Sequence, residues 1–356
     1  MLWESVSMSK DIDNISIGFI LVGDETTAST RHRILEPTKY FGDKFEIEFL
    51  SFRAHRSDFL GRSLSNIIFS IKMVLFSFNK DIIYVQKIPL PGYLVKTLSL
   101  VCGEIVFDFD DALYTSPEWE DDRPSRRSRL KQSIDASSIV ITGNPNLSNF
   151  ARQYNDHVYT IPTSVPKEEQ VAVQNSSTQV TIGWIGGPGN LRYLELIKEP
   201  LESILEDFDC ELKIVTGEEP PVTPLKNHQK VRYATWSLQD EQELIKSFDI
   251  MIRPMPDTEW INGKGGYTSV IRCMSLGVPV VASPIEPLSE ITSPGKSILF
   301  SETPNEWYDA LERLICDDDF RKQSGLKARH EVDTQGLWTE DYAREIQEIL
   351  ECLHTQ

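Results

Sequence analysis

The run NGKGGYTSVIRCMSLGVPVVASP, Asn262–Pro284, decides the fold. A glycine-rich turn leads into apolar residues at helical spacing from Tyr267 to Leu276, Gly277 stops the helix, and VPVVAS follows without polar alternation. An unbroken apolar strand is one buried on both faces, as in a parallel sheet covered by crossover helices. The run therefore predicts a helix, Tyr267–Leu276, feeding a strand, Val278–Ala282, of an α/β domain. At its start, Lys264, Gly265 and Gly266 put a cation and open backbone at the positive end of that helix, a combination suited to a diphosphate. A plain loop with a solvated lysine is the alternative.

The same alternation extends upstream. Strands are expected at Val180–Ile185, Glu211–Val215, Val231–Ala234 and Ile250–Arg253, with helices at Asn190–Glu206 and Asp240–Ser247. Residues 167–179 are polar and patternless, which marks a linker. Before it stands a first series: strands Ile15–Val22, Phe45–Phe52, Ile82–Gln86, Ile105–Phe109, Ile139–Thr142 and Val158–Ile161, separated by helices at Arg31–Phe41, Leu60–Phe78, Tyr93–Val101, Ser125–Ser133 and Asn146–Tyr154. The fold class is α/β, with two Rossmann-like, doubly wound domains facing a cleft. Residues 1–166 form the first domain, 180–335 the second, and 336–356 a terminal helix. Helices at Trp307–Cys316, Phe320–Thr334 and Trp338–Leu353 read as packing helices on the second domain.

With 356 residues, 40% hydrophobic and 25% charged, the chain has the size of two cores and the composition of a folded protein. Its formal charge of −18 argues against nucleic acid as a partner. The acid is uneven, because residues 1–100 carry net +1 and the remainder −19. The five cysteines, Cys102, Cys210, Cys273, Cys316 and Cys352, show no CxxC pair and read as reduced thiols. The first residues lack the basic and apolar regions of a signal peptide, and the most apolar stretch, Leu60–Phe78, is too interrupted to span a bilayer. A cytoplasmic location is expected.

Four more segments bear on chemistry. In IGWIGGPGNLRYL, Ile182–Leu194, Gly186 and Gly187 follow a strand and let a phosphate approach, and Arg192 can add a fixed charge. The glycine spacing does not match a dinucleotide fingerprint, so NAD is not favoured. EIVFDFDDALY, Glu104–Tyr114, ends a strand in Asp108, Asp110 and Asp111. These carboxylates suit a divalent metal, a hydroxyl or developing positive charge in the cleft, or simple capping of the next turn. Arg31 and Arg33, in STRHRILEP, sit where they can face an anion across the cleft. Leu60–Phe78 is amphipathic and the stretch 53–96 is net +5, so a core-facing helix and a surface touching anionic lipid both stand, with the former preferred. No GxSxG elbow, HExxH or Walker A motif is present.

Taken in order, ASTRHRILEP, DIIYVQK, IVFDFDDALY, SSIVITGNPNLSNFARQYNDHVYTIPTSV, IGWIGGPGNLRYL, SFDIMIRPMPDTEWINGKGGYTSVIRCMSLGVPVVASP and Glu290–Ile291 resemble the family 4 glycosyltransferases. These are retaining sugar-nucleotide enzymes of the two-domain B-type (GT-B) fold. The resemblance implies a nucleotide-sugar donor in the second domain, a hydroxyl acceptor on the first, no cofactor beyond the donor, and a terminal helix crossing back to the first domain. It implies that Gly186, Gly187 and Arg192 face the diphosphate, that Lys264, Gly265, Gly266, Tyr267, Thr268 and Glu290 belong to the donor site, and that Asp110 and Asp111 lie beside the reacting sugar. Many members carry two glutamates where this chain has Lys264 and Arg272. The missing carboxylate is either absent or supplied elsewhere, with Asp257 and Glu259 as candidates, and WxxGKxGY (Trp260, Gly263, Lys264, Gly266, Tyr267) resembles a subset of the family. Polysaccharide or glycoconjugate synthesis is the implied setting. The rival readings are a metal-dependent transferase using Asp108-Phe-Asp110 and a non-catalytic sugar-nucleotide binder.

Overall fold

A computed structural model describes residues 14–52, 62–167, 179–217, 225, 228–264, 267–292 and 297–355. Gly265, Gly266, residues 168–178 of the expected linker, and residues 60–61 of the expected long helix lie outside them.

The first domain runs β1 (Ile15–Leu21), α1 (Ala28–Thr30), β2 (Phe45–Ser51), α2 (Arg62–Phe76), β3 (Ile82–Gln86), α3 (Gly92–Leu98), β4 (Glu104–Phe109), α4 (Pro124–Asp135), β5 (Ile139–Thr142), α5 (Pro145–Ala151) and β6 (Val158–Thr160). Its six strands pair in parallel in the order β2-β1-β3-β4-β5-β6. The second domain runs β7 (Val180–Ile185), α6 (Lys198–Asp207), β8 (Cys210–Thr216), β9 (Val231–Thr235), α7 (Glu241–Lys246), β10 (Ile250–Arg253), α8 (Glu259–Asn262), α9 (Thr268–Ser275), β11 (Val280–Ala282), α10 (Glu286–Glu290) and β12 (Ile298–Phe300). These strands are also all parallel, in the Rossmann order β12-β11-β10-β7-β8-β9. Helices α11 (Pro304–Cys316), α12 (Asp318–Thr334) and α13 (Thr339–His354) complete the chain.

Each sheet is covered on both faces. In the first, Ile20, Val85 and Phe107 pack on one side and Ile17, Phe19 and Tyr84 on the other, where α13 adds Tyr342, Ile346 and Leu350. The terminal helix thus lies on the first domain. The chain passes between domains twice at one place, since Val165 N–H donates to Leu337 O and Thr339 N–H to Val165 O, both at 2.9 Å. In the second sheet Trp184, Ile214 and Ile252 face α6 and α11, while Met251, Ile271 and Met274 fill the opposite side.

Strand order reverses between β1 and β3 in one sheet and between β7 and β10 in the other. At such a switch point neighbouring loops leave towards opposite faces and open a crevice beyond the strand ends. Lys87 follows β3, and Gly186 and Arg253 sit at the ends of β7 and β10, so these crevices already hold polar groups.

Some local expectations change. The helix expected at Arg31–Phe41 is α1, a π turn at Arg31–Leu35 and a 3-10 turn at Pro37–Tyr40, because Pro37 has no N–H for a continuous ladder. The helix expected from Asn190 begins as 3-10 turns, Pro188–Ile197, before α6. β11 starts two residues late, at Val280, although Pro279 O still accepts from Met251 N–H at 2.8 Å. Gly277 ends α9 at φ 78°, a conformation that other residues rarely adopt. The short elements β12, α8 and α10 carry too few residues to give a periodic signal. Among the described residues no helix is long and apolar enough to cross a membrane.

Candidate functional site

On the first domain, Asp110 and Asp111 follow β4, and Lys87 follows β3 with a left-handed φ of 58°. Lys87 Nζ lies 2.9 Å from Asp110, 2.5 Å from Asp111 and 3.4 Å from Ser29 Oγ. Burial works against the Lys87 charge, but the two carboxylates outweigh it and hold the ammonium above the ordinary lysine range. Burial likewise opposes ionisation of Asp110, and Lys87 and then Arg33 bring it below the usual carboxylate range.

Asp108, one pleat back, is fully buried. It accepts from Arg33 Nε at 3.1 and 3.0 Å and from Nη2 at 2.6 Å. Arg33 Nη1 donates to Ile161 O and Thr163 Oγ1, and the guanidinium lies over the Tyr342 ring. Arg33 therefore belongs to the interior of the first domain and does not face the cleft. Asp108, which the metal reading pairs with Asp110, is already satisfied by this arginine.

On the second domain the cations are held differently. Arg253 is buried, its Nη1 is 3.4 Å from Ile185 O, and its Nε has no hydrogen-bond partner. Lys264 Nζ is 3.5 Å from Asn190 Oδ1 and 5.6 Å from the Trp260 ring centre. Among the described residues neither makes an ion pair. Burial lowers both, and Asp111 offsets this for Lys264 only in part. Lys87, Asp110 and Asp111 from one domain and Asn190, Arg253, Lys264, Tyr267 and Thr268 from the other line a single cavity of about 230 Å³.

Ala28 and Thr268 also line an adjoining cavity of about 310 Å³, together with Gly186, Gly187, Trp236, Glu241, Arg272 and Arg31. Here the domains are bonded to each other. Glu241 accepts from Arg31 Nη2 of the first domain at 3.1 Å and from Trp236 Nε1 at 2.9 Å, and lies 3.8 Å from Arg272 Nε. On the other side of the cleft Asn144 caps α5 through Leu147 N–H while its Nδ2 donates to Lys264 O at 2.8 Å. Gly263 closes the same contact: a Cβ there would fall 2.2 Å from Ala112 Cβ.

The structure thus brings Asp110, Asp111, Lys264, Tyr267 and Thr268 together, with Gly186, Gly187 and Arg31 in the adjoining cavity. Tyr267 is a support, its hydroxyl donating to Ile261 O at 2.6 Å. Arg192 lies elsewhere, stacked 3.9 Å above Trp119 with Nε on Gly189 O. Glu290 lines a third cavity with Asn144, Pro145 and Gln335 that shares Tyr267 with the cation-lined one, and burial and Glu286 push its carboxyl up. Asp257 accepts from Asn262 and, like Glu259, lines none of these three cavities. The carboxylate beside Arg272 is Glu241, which the sequence reading did not select. Lys87, Asn190, Arg253 and Trp236 were also missed. For Lys87 and Arg253 a signal existed, a basic residue closing an otherwise apolar strand.

Residues 179–317 match the family model described as Glycosyl transferases group 1, which covers most of the second domain. No curated protein matches the chain by sequence. Among solved structures, sucrose-phosphate synthase from Thermosynechococcus elongatus superposes with a TM-score of 0.75 at 13% identity, over 96% of this chain and 100% of that one. The chain has the GT-B fold. Anabaena HepE in complex with UDP and glucose gives a TM-score of 0.73 at 13% identity, over 95% and 100%. The pneumococcal O-GlcNAc transferase GtfA in complex with UDP and GlcNAc gives 0.61 at 12%, over 80% and 59%. In GT-B terms, the cavities described above lie in the cleft between the two Rossmann-like domains.

Proposed function

We propose that this protein is a glycosyltransferase of family 4 type, moving a sugar from a nucleoside diphosphate to a hydroxyl acceptor with retention at the anomeric carbon and without a metal. The observation that carries the reading is the pair Arg253, buried, and Lys264, partly buried, two cations without ion-pair partners among the described residues that line one interdomain cavity. Buried charge is costly unless matched, and a diphosphate is an anion of the right charge to match it.

The nucleoside fits the adjoining cavity, where the Trp236 ring offers a stacking face and Glu241 an acceptor for ribose hydroxyls. The phosphates then meet Lys264, Arg253 and the Thr268 backbone, and the sugar points towards Asp110 and Asp111. As the glycosidic bond to the diphosphate breaks, charge grows on the departing phosphate oxygen, and the fixed cations stabilise it more than they do the bound donor. The same oxygen is placed to take the acceptor proton on the face from which it leaves, which gives retention. Asp110 or Asp111 orients the sugar or the acceptor hydroxyl. Support for the metal-free reading comes from Asp108, Asp110 and Asp111, each already held by Arg33 or Lys87.

UDP, named in the HepE and GtfA complexes, is the first nucleotide to test. The expected result is a rise in melting temperature with UDP and slow hydrolysis of a UDP-sugar to the retained anomer with a strong chelator present. If no nucleoside diphosphate moves the melting temperature, the reading fails.

A further inference from the structure

Helix α2 buries Phe69 and Met73 against the first sheet, yet its opposite face is apolar too. Ile67, Ile71 and Leu75, with Phe78 just beyond the helix, recur at three- and four-residue spacing and are each more than half exposed. At 1.5 Å per residue the stripe is about 16 Å long. Neighbouring α3 extends it with Tyr93, 71% exposed and lining the same groove as Ile67, and Leu100, just beyond α3, is 84% exposed. A contiguous apolar patch of this kind marks a docking surface.

Its charge selects the occupant. Residues 62–100 hold five Lys and Arg against one acid, Asp81, in a chain of net charge −18, and although Lys80 pairs with Glu48 and Lys87 with Asp110 and Asp111, Lys72 and Lys96 make no ion pair among the described residues. Asp81 is occupied, accepting from Ser16 N–H at 2.8 Å. Lys72 and Lys96 stand exposed among the apolar side chains. A second copy docked through the same face about a two-fold axis would bring two faces bearing these lysines together, whereas an anionic bilayer neutralises them. Beside the stripe opens a groove of about 580 Å³, lined by Ile67, Met73, Leu90, Tyr93 and Leu113. Lys87 lines this groove and also the interdomain cavity, so the two spaces meet at that residue.

We infer that the α2–α3 face docks the protein on an anionic lipid bilayer, with the apolar stripe in the headgroup boundary and Lys72 and Lys96 among the phosphates. Resting on the proposed function, the groove then gives a lipid-borne hydroxyl acceptor a route from the membrane plane to Lys87 and Asp111.

The test is flotation of the full chain with vesicles of phosphatidylcholine alone or mixed with phosphatidylglycerol, at low and high salt. The wild type should float with the anionic vesicles, less so at high salt, and remain behind with neutral ones. Ile71→Glu combined with Leu75→Glu should reduce flotation about tenfold or more, while the UDP-induced rise in melting temperature, measured in parallel, stays unchanged and reports an intact fold and donor site. Wild type that floats with neither vesicle, or a double variant that floats like the wild type, overturns the inference whatever UDP does. So does a dimer in sedimentation equilibrium that the same substitutions dissociate, since the face would then belong to a second copy.

Discussion

Arg33 and Lys87 of the first domain and Arg253 and Lys264 of the second are all largely withdrawn from solvent, but only the first pair has acids beside it. Arg33 has Asp108, and Lys87 has Asp110 and Asp111. Arg253 and Lys264 have a backbone carbonyl and an asparagine at 3.4 and 3.5 Å. The first pair is matched within its own domain, and the second becomes matched when an anion enters. Of two similar pairs of cations, one therefore serves the fold and the other serves a ligand.

Arg33→Met attacks the matched side and should have the largest effect. It strands the Asp108 carboxylate in the core, at a cost of about 3–5 kcal/mol of folding stability. Urea denaturation measures it, and Arg33→Met combined with Asp108→Leu should regain much of the loss. A single variant as stable as the wild type would show that the pair is not structural.

On the unmatched side the sign of the stability change reverses. Arg253→Met or Lys264→Met removes a buried or partly buried charge that lacks an ion-pair partner among the described residues, so the ligand-free denaturation midpoint should hold or rise. UDP binding should weaken by about 1.5–3 kcal/mol, or roughly 10- to 100-fold, the worth of a charged hydrogen bond. Calorimetry reads the second quantity. A fall in ligand-free stability as large as that of Arg33→Met would erase the contrast between the domains.

Next in size is Gly263→Ala, which tests whether the two sets of charges must meet. The added methyl would fall 2.2 Å from Ala112 Cβ, across the domain boundary. The expected cost is about 1 kcal/mol, at the low end for overpacking, because domains can part where a core cannot. Scattering should show a larger radius of gyration. UDP should still bind, since Arg253 and Lys264 stay together, while sugar transfer falls as Asp110 and Asp111 withdraw. Unchanged transfer in an opened molecule would place the chemistry on the second domain alone.

Much of this was legible in the sequence. Apolar runs followed by helical spacing fixed both sheets to within a residue or two at most strands, because a parallel strand buried on both faces leaves little choice of residue type. Lys264, Asp110 and Asp111 were singled out for a related reason, since strand ends and helix starts are where such a sheet presents its polar groups, and Thr268 came in only through the family resemblance. What failed was partnership across the sequence. Nothing local shows that Arg33 will enter the core to meet Asp108, 75 positions away. Arg31, two residues earlier, reaches Glu241 in the other domain. Glu241 itself read as an ordinary acid in the first turn of a helix. Pairings of this kind depend on how the domains face each other, which short-range periodicity does not encode.

The smallest effect comes from pH, and it should act on the second domain alone, in opposite senses on ligand-free stability and on UDP affinity. Burial lowers the Lys264 pKa below its ordinary value, so in the window between the folded and unfolded values the unfolded chain binds more protons. Ligand-free stability therefore gains from this residue as pH rises through that window. UDP has the reverse preference: its phosphates favour the ammonium, raise the pKa on binding and draw in a proton. Affinity should then fall with rising pH by a few-fold per unit, below the limiting tenfold that one proton allows. Lys87, raised by its two carboxylates, keeps its charge throughout. Calorimetry in two buffers of different ionisation heat measures the proton taken up, and Lys264→Arg, whose guanidinium stays charged, should abolish that uptake while UDP still binds. Uptake that survives this substitution would move the titrating group away from Lys264.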